Sequence, residues 1–143
     1  KRKIFDHLDK TYEHIHLIPP ETYNIIPFYK VSDVLLTEAS STIYEMLACN
    51  KPVIVNRFFK LKLSHRIFRY RLYKKRLNQE MERDISSFCH EANKPEELPK
   101  IFMNVLKSSK SKIPISKKNQ DKMLYKLDGL ASKRAKEEIL KRL

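Results

Sequence analysis

The stretch 32–56 constrains the fold of this chain more than any other part of it. Its two apolar runs, 33–37 and 52–55, show no alternation of polar and apolar residues, which is typical of parallel strands covered on both faces. Between them, 42–50 has the composition of a helix and follows a turn of small residues at 38–41. The stretch therefore predicts a strand, a helix and a second parallel strand.

The turn before this helix has the features of an anion-binding site. Ser40 or Ser41 occupies the position of a helix N-cap, and Glu45 lies within or just after the first helical turn. N–H groups at the start of a helix have no intrahelical partner, and they would face the carboxyl edge of the sheet, where phosphates bind. The alternative is ordinary N-capping by these hydroxyls, or a capping box between Glu45 and Ser41 or Thr42, without a ligand.

The residues before this stretch predict a further strand and helix. Residues 14–18 form a short strand in this prediction, and the two prolines that follow it end the strand. A short helix at 22–31, with Pro27 at a break or at a second start, leads into strand 33–37. Together these elements predict stacked βαβ units and a parallel sheet.

Metal-ligating residues are few and scattered. His14 and His16 point to one face of strand 14–18 in this prediction, and the sequence suggests no third ligand, so we predict neither a metal site nor a cofactor. Cys49 and Cys89 show no paired spacing, which predicts free buried thiols in a reducing compartment.

The charge of the chain predicts an anionic partner. Thirty Lys and Arg against 17 Asp and Glu give a formal net charge of +13. Residues 57–76 hold nine Lys or Arg and no acid, and their apolar residues predict a basic amphipathic helix from about Ser64 onward. This helix is either a surface helix with a solvated charged face, or a contact to an anionic membrane, or, least favoured, a contact to nucleic acid.

The last part of the chain predicts one more strand and two helices. Residues 84–92, with Ile85, Phe88 and Cys89, form a short late strand in this prediction. Pro95 marks the start of a helix with an apolar stripe at Leu98, Ile101, Phe102, Val105 and Leu106. A loop rich in Lys and Ser covers 108–118. A terminal helix follows, with Gly129 as a sharp turn and Ser132 as its cap.

Two segments resemble the CDP-glycerol glycerophosphotransferase family, which makes teichoic acid-type polymers. The first runs through Asp33-Val-Leu-Leu-Thr-Glu-Ala-Ser-Ser, Tyr44-Glu45 and Lys51-Pro52. The second, at 127–134, is similar to the family's closing Asp-Gly-x-Ala-Ser-x-Arg. Glu38 and Ala39 depart from the aspartate and the aromatic residue of the family. UDP-N-acetylglucosamine 2-epimerases share the layout but have glycines in place of Ser41 and Thr42.

The resemblance implies a three-layer, Rossmann-like parallel sheet, part of the carboxyl-terminal, donor-binding domain of a GT-B transferase. It implies that the donor is bound by Thr37, Ser40, Ser41, Thr42 and Glu45, with the hydroxyls and N–H groups on the pyrophosphate and Glu45 on the ribose. The expected function is transfer of glycerophosphate, or a related polyol phosphate or sugar, from a CDP-linked donor to a membrane-linked acceptor of the cell envelope.

We expect one domain over 1–143, with a βαβ core at 1–56, the basic segment at 57–83 and the late strand and helices at 84–143. The family's histidine precedes a proline, and none of the five histidines here does, so no catalytic residue is assigned. The chain lacks an initial Met, and we expect a fragment that binds nucleotide but is inactive alone.

No apolar run approaches the ~20 residues of a membrane span. The resemblance, together with the unpaired cysteines, implies a cytoplasmic protein, peripheral at the inner membrane face, and residues 57–76 would hold it there. Two alternatives stay open. One is a UDP-sugar glycosyltransferase or an enzyme like the UDP-N-acetylglucosamine 2-epimerases. The other is a non-catalytic basic module that binds RNA or an anionic membrane.

Overall fold

The computed structural model describes residues 2–58, 67, 79–110 and 117–142. In these ranges the chain is a mixed α/β structure with a small, open parallel sheet of three strands: β1 (Leu35–Thr37), β2 (Val53–Asn56) and β3 (His90–Ala92). The described helices are α1 (Arg2–Thr11), α2 (Ile26–Val31), α3 (Thr42–Ala48), α4 (Gln79–Phe88), α5 (Leu98–Lys110), α6 (Lys117–Leu124) and α7 (Ala131–Leu140), with a 3₁₀ turn at Pro95–Glu97.

The strands lie in the order β1-β2-β3, and both neighbouring pairs are parallel. Leu36 pairs with Ile54, and Ile54 pairs with His90. The chain therefore passes from β1 through α3 into a parallel β2, which confirms the strand–helix–strand unit predicted from 32–56. This arrangement is consistent with a Rossmann-like sheet.

Helices cover both faces of the sheet. Val53 and Val55 face one side, where they pack with Tyr29 of α2, with α3 and with Ile85 of α4. Ile54 faces the other side and packs with β3 and α5. Because Val53, Ile54 and Val55 are all buried, β2 has the two covered faces that its apolar sequence predicted.

The prediction of two covered faces is wrong for β1. Leu36 lies on the same face as Ile54 by register, yet it is 51% exposed, whereas Ile54 is fully buried. The reason is the position of α5, which packs on the β2 and β3 side of that face. An apolar sequence shows that a strand can be covered on both faces but not that a helix lies there.

The predicted strand at 14–18 is also wrong. The backbone N–H of Leu17 donates to Asp9 Oδ1 at 2.7 Å, and that of Ile15 donates to the Tyr12 carbonyl at 3.0 Å. These local bonds replace those of a strand ladder, and the segment is irregular. His14 and His16 therefore do not share a strand face; the His14 ring instead contacts the Tyr12 ring.

Several other predicted bounds change. Within the predicted strand 84–92, residues up to Phe88 belong to α4, because Ile85 and Phe88 are spaced to lie on one helix face. The helix predicted at 22–31 begins only at Ile26, so Pro27 stands at its start. The predicted loop 108–118 shortens, because α5 continues to Lys110 and α6 begins at Lys117.

The carboxyl-terminal turn confirms one prediction and corrects another. Gly129 has a φ of +73°, as its predicted role in a sharp turn requires. Ser132, however, lies inside α7 and does not cap it; Asp128 Oδ1 accepts the Leu130 N–H at 2.9 Å instead. The Arg134 guanidinium bonds both Asp128 oxygens and, with the Leu130 N–H, holds the pKa of that carboxyl below its usual range.

The predicted basic helix from Ser64 onward lies outside the described residues, apart from Ile67. Among the described helices, none combines the length and the apolar character that crossing a membrane requires.

Candidate functional site

The predicted anion-binding residues lie at the carboxyl edge of the sheet, in the turn between β1 and α3. β1 ends at Thr37 and α3 begins at Thr42. The N–H of Ile43 donates to the Ser40 carbonyl at 3.3 Å, and the N–H of Tyr44 donates to the Ser41 carbonyl at 3.0 Å, so the helix is entered through a tight turn.

Three hydroxyls form a connected row across this turn. Thr37 Oγ1 lies 3.3 Å from Ser40 Oγ, which lies 2.6 Å from Thr42 Oγ1. We call Thr37, Ser40 and Thr42 the hydroxyl row; each of the three residues is half-buried. The structure thus brings together three of the five residues that the sequence predicted.

Ser41 stands beside the row and is not part of it. It is exposed, has helical backbone angles (φ −61°, ψ −23°) and makes no side-chain capping hydrogen bond. The prediction of ordinary capping by its hydroxyl is therefore wrong.

Glu45 faces the protein interior. Tyr29 of α2, which is only 6% exposed, lies beside Glu45 and Thr42. Burial, followed by the neighbouring Glu45 carboxyl, raises the pKa of Tyr29. Glu45 Oε2 is buried and has no hydrogen-bond partner among the residues that the structure describes, so in this conformation that oxygen does not reach a ribose in solvent.

The sequence did not identify Tyr29 as part of the site. Its place among apolar residues in a short helix indicates a buried face, but nothing local indicates that its hydroxyl lies against residues of α3. The hydroxyl row, Tyr29 and Glu45 lie next to one another, and we call these five residues the polar network.

At the opposite end of α3, Lys51 connects the β1–α3–β2 unit to α2. We call 49–52, which joins α3 to β2, the lysine turn. The Lys51 ammonium donates to the carbonyls of Lys30 and Ser32, at the carboxyl end of α2. A cation there also complements the negative end of the helix dipole. The Lys-Pro pair of the resemblance thus has a structural role here.

A second charged group lies at the carboxyl edge, beyond β2. Arg57 forms an ion pair with Glu91 of β3 at 2.8 Å, and Ser86 donates to the same carboxylate oxygen at 2.7 Å. Burial alone would raise the pKa of Glu91, but the bonds from Ser86 and Arg57 lower it. Arg57, the first residue of the predicted membrane-binding segment, is therefore engaged with the sheet.

The two cysteines are free, as predicted, and both are half-buried against the core cluster on the α2–α4 side. Burial raises the pKa of the Cys89 thiol to about 12, so it is protonated at neutral pH. The described residues contain no group of three potential metal ligands.

Comparisons with family models, with curated proteins and with solved structures gave no match to this chain. The chemistry of the site is therefore argued from its own geometry. Hydroxyls both donate and accept hydrogen bonds, so the row can hold oxygen atoms of a ligand. The described residues of the network are suited to binding and orienting such a ligand.

Proposed function

We propose that the hydroxyl row and Ser41 bind the phosphates of a nucleotide-activated donor. The chain would be the donor-binding part of a GT-B type transferase. Its reaction would move glycerophosphate, or a related polyol phosphate or sugar, from a CDP-linked donor to a membrane-linked acceptor of the cell envelope. The enzyme would work in the cytoplasm, peripheral at the inner membrane face.

The observation that carries this proposal is the hydroxyl row at the carboxyl edge of a parallel sheet. Ligands of open α/β sheets bind outside the carboxyl ends of the strands. The oxygens of the row are spaced at 2.6 and 3.3 Å, which suits the simultaneous binding of neighbouring phosphate oxygens. Ser41 adds an exposed hydroxyl beside them.

Two further features support an anionic, nucleotide-like ligand. The net charge of +13 favours anions over neutral ligands. The resemblance to the glycerophosphotransferases rests on two separate segments, 33–52 and 127–134, in the family's order, and the first segment contains the hydroxyl row.

Isothermal titration of the full chain tests the proposal. CDP-glycerol should bind, and UDP-sugars should bind more weakly; the opposite order would favour the UDP-sugar alternative. Ser40→Ala should weaken binding, while the matched control Ser87→Ala, in an exposed position of α4, should leave it unchanged. The absence of heat with every nucleotide would contradict the proposal.

The net charge also favours a second candidate, a non-catalytic module that binds RNA or an anionic membrane. Salt-sensitive binding of a short RNA, together with no nucleotide binding, would replace the transferase proposal. Sedimentation with vesicles that contain or lack anionic lipid tests binding to an anionic membrane. If sedimentation does not depend on anionic lipid, membrane attachment through the basic segment is excluded.

A further inference from the structure

The hydroxyl row is uncharged, whereas a diphosphate diester carries two negative charges. The turn 38–41, which contributes to the row, contains Glu38 and no Lys or Arg. Lys51 lies at the opposite end of α3, where its ammonium donates to two backbone carbonyls. A favourable diphosphate site therefore needs a cation from another part of the carboxyl edge of the sheet.

The sheet register places Arg57 at this edge, one strand away from Thr37. Thr37 pairs with Val55 in the parallel β1–β2 ladder. Arg57 directly follows β2, and its backbone N–H donates to the Ala92 carbonyl of β3 at 2.8 Å. Neighbouring strands lie about 4.8 Å apart and rise about 3.3 Å per residue, so the Cα atoms of Thr37 and Arg57 are separated by roughly 8 Å.

The Arg57 guanidinium and the Thr37 side chain lie on the same face of the sheet. Thr37, Val55 and Glu91 are in register across the three strands, so their side chains share one face. The guanidinium reaches that face, because it contacts Glu91 Oε1 through Nε at 3.3 Å and through Nη2 at 2.8 Å. The hydroxyl row on the β1 side and the guanidinium on the β3 side therefore flank the carboxyl end of β2.

The guanidinium is held in a fixed orientation. Glu91 Oε1 accepts from two of its nitrogens and also from the Ser86 hydroxyl of α4, at 2.7 Å. The side chains of Arg57 and Glu91 are only 19% and 29% exposed. A guanidinium has five N–H groups in one plane, and this geometry allows it to bind a carboxylate along one edge and a phosphate along another.

We propose that Arg57, held by Glu91, binds the donor diphosphate together with the hydroxyl row. This inference rests on the proposed function, since it concerns the same site. Because the Arg57–Glu91 pair is neutral overall, Arg57 acts through directed hydrogen bonds at short range and contributes little long-range attraction. The difference in affinity between the wild type and a variant without the guanidinium should then change little as salt is raised, since salt screens distant charges most strongly.

The test is isothermal titration of the full chain with CDP-glycerol. Arg57→Gln should weaken binding by about tenfold to 100-fold, as expected for the loss of charge-assisted hydrogen bonds. Arg57→Lys keeps the charge but lacks the planar guanidinium, so its affinity should lie between those of the wild type and Arg57→Gln. The matched control is Lys94→Gln, which removes an exposed positive charge just beyond β3 at the same edge and should change affinity by less than about twofold.

Arg57→Gln also leaves the Glu91 carboxylate without its cation, which destabilises the fold. A double variant, Arg57→Gln combined with Glu91→Gln, keeps the net charge of the protein, and its two amides can hydrogen-bond to each other. It should show a similar loss of affinity for CDP-glycerol. Urea unfolding of each variant establishes that the titrated protein is folded.

Binding of CDP-glycerol by the wild type, with no loss of affinity in the folded double variant, would overturn the inference and leave the proposed function standing. Equal losses in Arg57→Gln and Lys94→Gln would also overturn it, because the effect would then come from general charge at the edge of the sheet. If the wild type bound no nucleotide at all, both the inference and the proposed function would fall.

Discussion

The hydroxyl row and the lysine turn lie at opposite ends of the same helix and differ in how their polar groups are satisfied. At the lysine turn, the N–H groups of Asn50 and Lys51 donate to backbone carbonyls at the end of α3. The Lys51 ammonium donates to two more carbonyls, those of Lys30 in α2 and of Ser32 just after it. At the hydroxyl row, the side chains bond one another, and nearby the buried Glu45 Oε2 has no hydrogen-bond partner in the described part of the chain.

Under the proposed function, this difference distinguishes a turn that stabilises the fold from one that binds a ligand. Changes in the lysine turn should therefore reduce the free energy of unfolding and leave binding alone. Changes in the hydroxyl row should weaken ligand binding and have little effect on the free energy of unfolding. Each of the following variants tests one side of that contrast.

Ser41→Asp should give the largest effect on binding. A carboxylate at this exposed position repels donor phosphates by about 2 kcal/mol, or ~30-fold in affinity. Stability should stay the same or rise by up to ~1 kcal/mol, since a negative charge at the start of a helix interacts favourably with the helix dipole. Calorimetric titration and urea unfolding measure the two quantities. Unchanged donor affinity would remove the turn from the site; Ser87→Asp is the control.

Lys51→Met should lower the free energy of unfolding by about 1–2 kcal/mol, because it removes charged donors from two backbone carbonyls at the end of α2. Donor affinity of the folded protein should be unchanged. Lys100→Met, at an exposed position of α5, should change stability by less than ~0.5 kcal/mol. Equal losses in the two variants in urea unfolding would argue against a specific role of Lys51.

Ser40→Ala should weaken donor binding by about 1 kcal/mol, or ~5-fold, because Ser40 is the central hydroxyl of the row. The free energy of unfolding, measured in urea, should change by less than the binding free energy does, since the residue is only half-buried. If Ser40→Ala destabilised the protein but bound the donor normally, the row would be a structural element like the lysine turn.

Asn50→Gly should have the smallest effect, below ~0.5 kcal/mol in urea unfolding. Asn50 has a φ of +55°, a conformation that both asparagine and glycine adopt readily. Asn50→Ala should instead destabilise by about 1 kcal/mol, because the left-handed region is unfavourable for alanine. If alanine and glycine behaved alike, the backbone of the lysine turn would not be constrained as the structure indicates.

The parts of the fold that were predicted correctly are determined by residues that lie close together in the sequence. The unbroken apolar run of β2 predicted its burial, and Gly129 predicted a sharp turn through its unusual backbone angles. Pro27 was expected at a break or at a second start of a helix from 22, and it stands at the start of α2. The segments that failed, 14–18 and 84–88, contain apolar residues that suit more than one structure. Short apolar runs do not by themselves distinguish a strand from a helix or an irregular segment.

The candidate site was predicted only in part for a related reason. The resemblance implied that Thr37, Ser40 and Thr42 belong to one site, and the structure brings their hydroxyls together between a strand end and a helix start. The inward orientation of Glu45 was not predicted, because its neighbour Tyr29 comes from a separate helix. Arg57 was assigned to a basic surface segment, whereas its partner Glu91 is 34 positions away and could not be inferred from local charge.

The sequence by itself determined the β1–α3–β2 unit, the hydroxyls at its turn and the basic character of the chain, because strand burial, small-residue turns and net charge depend on composition and on short spacings. The tertiary structure alone decided that Lys51 closes α2, that Gln120 of α6 donates to the Leu47 carbonyl of α3, and that Glu45 turns inward to Tyr29. The first two contacts join residues 21 and 73 positions apart. All three depend on how the helices pack around the sheet, which no local pattern specifies.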